Sequence, residues 1–126
     1  MTQKKRIAVF GSTGSIGTQT LEVISTHPDK FSVEILTAHT NDELLIKQAL
    51  KFNPNMVVIG DEKKYQKVKE ALAKTQVKVF TGEEALIDVA AMDCYDVMIA
   101  AIVGFAGLKS TLSAIENGKT IALANK

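Results

Sequence analysis

Cysteine occurs once in this chain, as Cys94, which excludes an internal disulfide and makes a reducing, cytoplasmic setting the expected one. Its neighbours Asp93 and Asp96 disfavour a thiolate, so Cys94 reads as an unreactive free thiol. Aromatic residues are few, and charge of neither sign dominates. Fifteen Lys and Arg against 14 Asp and Glu leave a formal net charge of +1, too balanced for a nucleic-acid or membrane surface. No apolar run approaches the roughly 18 residues of a membrane span. The opening MTQKKR leads into a strand with no signal-peptide core, and no repeat, low-complexity stretch or linker divides the chain. What is present is ordinary for one α/β domain: 126 residues, 46% hydrophobic and 23% charged, enough for a real core.

The junction from Arg6 to Gly17 carries the most information. A short β-branched apolar run, Ile7 to Phe10, stops at Gly11, and a helical pattern begins near Ser15. Glycines at 11, 14 and 17 enclose small hydroxylated residues and one isoleucine. A strand, a tight glycine turn and a helix N-terminus together suit a phosphorylated ligand, because the helix start offers unpaired N–H groups and the positive end of its dipole. In this reading Gly11 permits the turn, Gly14 lets backbone approach a diphosphate, and Gly17 lets the helix pack on the strand. The spacing is G-x-x-G-x-x-G, and no Gly-Lys-Ser/Thr closes it, which excludes a P-loop.

Strands and helices alternate along the rest. Helices are expected at Ser15 to His27 (apolar Ile16, Leu21, Val23, Ile24; stopped by Pro28), from Asn41 or Asp42 to Phe52, and from an Asp61 cap to Lys74 with Tyr65, Val68, Ala71 and Leu72 inward. The second of these carries Leu44, Leu45, Ala49 and Leu50 at helical spacing. Two more follow at Glu83 to Met92 and Leu108 to Asn117, the last closed by Gly118 as C′ residue. Strands are expected at Ser32 to Ala38, Met56 to Gly60, Val77 to Phe80, Asp96 to Ile102 and Thr120 to Ala124. The pattern gives a doubly wound parallel sheet, Rossmann-like and three-layered (αβα), with right-handed crossovers. Ligands bind such sheets at the topological switch point. The loops Gly11–Gly17 and Ala101–Gly107 are therefore expected to face each other, with the Val77 to Phe80 strand at the edge beyond Met56 to Gly60.

The end of the second strand bears on the nucleotide. NAD-binding domains place Asp or Glu there for the ribose 2′-hydroxyl. Here it reads Thr37-Ala38-His39-Thr40-Asn41, with Glu34 earlier in the strand. The absent carboxylate tolerates a 2′-phosphate and tilts the choice to NADPH, although no Arg or Lys stands in this segment to pair it. His39, Thr40 and Asn41 offer hydrogen bonds, with Asn41 also available as a helix cap. Tyr65 and Lys69 match the Y-x-x-x-K pair of extended short-chain dehydrogenases and epimerases. Their helix comes too early in that fold, however, and Tyr65 falls on the apolar face.

Taken together, FGSTGSIGTQTLEVI with HPDKF after it, AAIVGFAGL and the closing LANK resemble the N-terminal NADPH-binding domain of the 1-deoxy-D-xylulose 5-phosphate reductoisomerase family. The resemblance covers essentially the whole chain, more loosely between Asn41 and Cys94. It implies an enzyme, typically a homodimer. Such an enzyme rearranges a phosphorylated ketose with a divalent metal (Mg²⁺ or Mn²⁺) and reduces the resulting aldehyde with NADPH, giving 2-C-methyl-D-erythritol 4-phosphate for isoprenoid precursor synthesis. Carried over by position, Thr13, Gly14, Ser15 and Ile16 would contact the cofactor diphosphate and ribose. Asn41 would lie at the 2′-phosphate, Asn125 near the nicotinamide, and Lys126 at the sugar phosphate, while His39 stands as a cofactor contact on its place at the second strand's end alone. The chain departs from the family where many members have a Gly-Lys-Asn-like segment after the second strand, since only Asn41 carries over. The family's acidic metal ligands lie beyond Lys126, and neither His27 nor His39 has a carboxylate cluster beside it. The expectation is a fragment, residues 1–126, that binds cofactor without turnover and holds no catalytic residue. The alternatives are the NAD(P)-binding domain of an extended short-chain dehydrogenase or epimerase, or that of a nucleotide-sensing regulator.

Overall fold

A computed structural model describes residues 4–123 of the chain. Six strands form one sheet in the order β4-β3-β2-β1-β5-β6, and every pairing is parallel. They are β1 (Lys5–Phe10), β2 (Phe31–Ala38), β3 (Met56–Ile59), β4 (Lys78–Thr81), β5 (Val97–Ala100) and β6 (Thr120–Leu123). The connecting helices are α1 (Ser15–Ser25), α2 (Asp42–Phe52), α3 (Tyr65–Ala71), α4 (Glu83–Ala90) and α5 (Phe105–Glu116), with a 3₁₀ turn at Glu62–Lys64 before α3. The order runs outward from β1 to β4, then resumes on the other side of β1 with β5. That reversal places the switch point between β1 and β5, and β4 lies at the edge as expected.

Period-two alternation along the central strands divides the core into two layers. Ile7, Val9, Leu36 and Val57 pack with Leu21 and Ile24 of α1, Leu45 and Ala49 of α2, and Val68 of α3. Ala8, Phe10, Ile35, Val58 and Met98 pack on the opposite face with Leu86 and Val89 of α4 and Ala114 of α5. The register shifts between Ile7 and Ala8, which pair with Val33 and Ile35, so Glu34 is an extra residue in β2. That bulge explains how Val33 and Leu36, three apart, share one face.

Several expected boundaries move. α1 stops at Ser25, where the Thr26 hydroxyl donates to the Val23 carbonyl (2.7 Å), and Val23 itself is exposed. α2 buries Leu45 and Ala49 but exposes Leu50, while the polar Asp42 and Gln48 occupy buried positions on its inner face. The expected helix from Asp61 to Lys74 divides into the 3₁₀ turn and a short α3. Thr75 closes it by donating its N–H and hydroxyl to the Leu72 carbonyl (3.0 and 2.7 Å). α3 therefore packs through Val68 and Leu72, with Ala71 exposed. α4 ends at Ala90 rather than Met92. α5 begins a turn early, at Phe105, because Gly104 adopts φ +85° and takes the cap position. Gly118 follows the helix with φ +77°, as expected of a C′ residue.

Asp96 joins the start of β5 to β1. Its carboxylate accepts from the Arg6 backbone N–H (3.1 Å), from Nε (3.2 Å) and from Nη2 (2.9 Å). These bonds hold the Asp96 carboxyl at about 2, below its ordinary 3.8. A carboxyl depressed in the folded state contributes stability above its unfolded pKa and loses it as pH falls through the folded one. The pair is 40–43% exposed, so Asp96→Asn is expected to cost only about 1 kcal/mol at neutral pH. Urea titrations at falling pH should show the difference between the two proteins shrinking between pH 3.8 and about 2. A difference independent of pH would mean that the pair does not bind as described.

Candidate functional site

The site is built where β1 ends. Gly11 turns the chain at φ +89°, and a Cβ placed there would lie 2.8 Å from the Ala101 carbonyl oxygen. The two small-residue loops therefore meet backbone to backbone, and the Ala101 N–H donates to the Phe10 carbonyl at 2.9 Å. A Cβ on Gly17 would lie 2.1 Å from the Gly11 carbonyl oxygen, so α1 can seat on the turn only through glycine.

Polar side chains fix the turn from beneath. The Gly11 N–H donates to the Thr37 hydroxyl (2.9 Å), and the Ser12 N–H to the Thr37 carbonyl (2.8 Å). Ser12 is fully buried. Its hydroxyl donates to Gln48 Oε1 (2.7 Å), and Gln48 Nε2 donates back to the Ser12 carbonyl (2.9 Å). Three elements, the turn, β2 and α2, are locked in one satisfied network. Thr37, Ser12 and Gln48 were not singled out from sequence. Thr37 had a signal, as a polar residue closing an apolar strand. Gln48 had none, because beside Lys47 it looks like part of a solvated face.

Helix starts differ in how they are compensated. At α2, Asn41 Oδ1 accepts from the Leu44 N–H (3.2 Å), and Asp42 and Glu43 add negative charge in the first turn. At α1 the cap is Gly14, with no side-chain cap bond and no acidic residue in the first turn. The first backbone N–H groups of α1 and the positive end of its dipole are thus left for a ligand. Above them opens a cavity of about 490 Å³, within the range of cofactor sites. Its walls include Gly11, Thr13 and Gly14 from the first loop, Ala101, Ile102 and Phe105 from the second, and Leu86 of α4. The remaining side is made by Thr37, Ala38 and His39 with Gly60 of the neighbouring loop. The His39 ring lies over Gly60, where a Cβ would come within 2.6 Å of Nδ1.

Of the residues expected at the site, Thr13, Gly14 and His39 line this cavity. Ser15 and Ile16 lie in the first turn of α1 beside it, placed to act through their backbone. Asn41 stands outside the cavity, with its side-chain Oδ1 committed to capping α2. Asn125 and Lys126 lie outside the described residues. Tyr65 begins α3 and packs against the core, with Lys69 Nζ 5.6 Å from its ring centroid, and neither lines the cavity. Cys94 is half-buried, and that burial pushes its thiol pKa up.

A parallel sheet reversing at β1/β5, with a glycine-capped helix start open at the reversal, defines a Rossmann-like dinucleotide-binding domain. The chain belongs to the 1-deoxy-D-xylulose 5-phosphate reductoisomerase family, whose sequence model matches residues 7–126. The reductoisomerase of Phocaeicola vulgatus is 52% identical over 123 residues, covering 98% of this chain and 32% of that protein. The Bacteroides fragilis enzyme is 53% identical over 124 residues, with the same coverage. Among solved structures, the Zymomonas mobilis reductoisomerase in complex with NADPH superposes with TM-score 0.92 at 45% identity, over 98% of this chain and 32% of that one. A reductoisomerase in complex with NADPH, fosmidomycin and magnesium gives 0.91 at 36% identity, over 96% of this chain and 30% of that one. The chain thus spans about a third of the length of the relatives it matches.

Proposed function

We propose that residues 1–126 form the NADPH-binding domain of an enzyme that isomerises and reduces 1-deoxy-D-xylulose 5-phosphate to 2-C-methyl-D-erythritol 4-phosphate. The observation that carries this reading is the uncapped α1 N-terminus opening, through the glycine turn, onto the cavity at the switch point. NADPH bound to a relative of 45% identity supports it. The donors present fit a diphosphate: backbone N–H groups at Ser15 and Ile16, with the Thr13 hydroxyl beside them, while Gly14, whose own N–H donates to the Gly11 carbonyl (3.3 Å), leaves room for close approach. His39 and Asn41 take the adenosine end, Asn125 the nicotinamide end, and Lys126 the substrate phosphate. NADPH supplies the hydride, while the chain's own groups bind and orient it.

No group of three or more His, Cys, Asp or Glu side chains that could hold a metal is present among the described residues. They do not fit a divalent ion, and we assign no ligand and no step to one here. The magnesium of the related structures would take its ligands from other parts of the protein. By itself this chain is expected to bind cofactor without turnover. The complete enzyme would take a sugar phosphate, form a homodimer and work in the cytoplasm, a setting consistent with one half-buried cysteine. No helix among the described residues is long and apolar enough to cross a membrane.

Gly14→Asp tests the site. Gly14 has φ −77° and ψ 177°, and a Cβ there meets nothing closer than 3.7 Å, so aspartate fits and supplies a good helix cap. It also sets a carboxylate against the diphosphate. Calorimetric titration should show NADPH affinity falling about a hundredfold or more, with the melting temperature unchanged or raised. Equal affinity in both proteins would remove the diphosphate from this turn.

A further inference from the structure

The exit of β2, Ala38-His39-Thr40-Asn41, contains no lysine or arginine. In Rossmann-like sheets this is where a carboxylate holds the ribose 2′-hydroxyl of NAD or a cation meets the 2′-phosphate of NADP. In this fold a cation reaches the position from the next crossover. The exit of β3 is tied to that of β2 by backbone bonds, Gly60 N–H to the Ala38 carbonyl and Asp61 N–H to the His39 carbonyl, both 2.8 Å. Asp61 then caps the 3₁₀ turn, its Oδ1 accepting from the Lys63 N–H at 3.1 Å. Lys64 ends that turn, and its Nζ donates to the Thr40 carbonyl at 2.8 Å. An ammonium group is thus fixed to the very backbone segment that lacks one.

The one carboxylate lodged beside it does not act as a ribose anchor. Asp42 is buried, with Oδ1 facing Lys64 Nζ at 3.5 Å and Oδ2 facing Lys67 Nζ at 3.0 Å. Both oxygens are engaged by cations, and the bond from Lys67 holds the carboxyl below its ordinary pKa. The shallow depression here is lined by Thr40, Asn41, Asp42, Lys63, Lys64 and Lys67, together with Glu43. Three lysines against two acids leave an excess positive charge. It adjoins the His39 end of the main cavity. An ammonium has three donors, and Lys64 directs two of them at Thr40 and Asp42, leaving one for a phosphate oxygen.

We infer that Lys64 reads the 2′-phosphate of NADPH, supplying from the β3–α3 crossover the cation that the β2 exit lacks. The inference rests on the cofactor reading given above and assigns the residue that discriminates NADPH from NADH. Calorimetric titrations of the chain with each nucleotide test it. Lys64→Ala is expected to weaken NADPH about tenfold, the scale of one charge-assisted hydrogen bond, and to change NADH less than about twofold. Lys64→Arg should keep the preference, and Thr40→Lys added to Lys64→Ala should restore it. If Lys64 merely braced the Thr40 segment, both nucleotides would weaken together. Such a parallel loss, or no loss for NADPH, overturns the assignment while leaving the cofactor site intact. A wild-type chain that binds neither nucleotide overturns the cofactor reading, and this assignment with it.

Discussion

Gly17→Ala is expected to destabilise the chain by about 3 kcal/mol and to abolish NADPH binding. The added Cβ would lie 2.1 Å from the Gly11 carbonyl oxygen, 2.7 Å from Ser12 Cα and 2.8 Å from the Ser12 carbonyl carbon. All three are backbone atoms, so no side-chain rotation relieves the clash. α1 must lift from β1, and Leu21 and Ile24 lose their seat in the core. Alanine would gain about 1 kcal/mol of helix propensity. Overpacking against fixed atoms costs typically 1–3 kcal/mol or more, and here it reaches the upper part of that range and wins. Urea denaturation gives the shift in midpoint, with Gly14→Ala as the tolerated comparison. A Gly17→Ala protein as stable as wild type would show that α1 does not rest on the turn.

Gln48→Leu should produce the second large effect. The substitution keeps the volume but deprives the buried Ser12 carbonyl of its donor from Nε2 and the Ser12 hydroxyl of its closest acceptor. The hydroxyl can turn to the Thr37 carbonyl at 3.2 Å, whereas the carbonyl loses its side-chain partner. Burying a polar group without its partner costs about 1–3 kcal/mol. We expect a loss of about 2 kcal/mol in thermal or urea unfolding. The turn carrying Thr13 and Gly14 is then held only from the β2 side, so NADPH affinity should fall as well. Faster amide exchange at Gly14 to Ile16 would locate the loosening there. Unchanged exchange and affinity would show that Gln48 fills space and nothing more.

The outcome at α2 explains what was legible in advance. Leu45 and Ala49 follow from apolar spacing, and Asn41 as cap follows from local chemistry, since its carboxamide reaches only three residues along. Gln48 and Asp42 occupy inward positions that the same spacing awards to apolar residues. Their partners, Ser12 for one and Lys67 for the other, are distant in sequence. The glycine turn is readable for the same local reason: a strand, three glycines at fixed spacing and a helix start are contiguous. That the β2 exit holds no lysine or arginine is visible within its own segment. Lys64 lies 24 residues beyond Thr40 and arrives beside it only because β3 pairs beside β2.

Sequence alone determined the alternation of strands and helices, the glycine turn and the open helix start, because each depends on residues within a turn or a strand of one another; the parallel sheet and its switch point follow from that alternation through the rules of crossover connection. Tertiary structure decided which side chains brace the glycine turn, where α5 begins and which lysine stands beside Thr40. Those contacts join segments that only strand order makes neighbours, and hydrogen-bond geometry over 3 Å cannot be read from spacing along the chain.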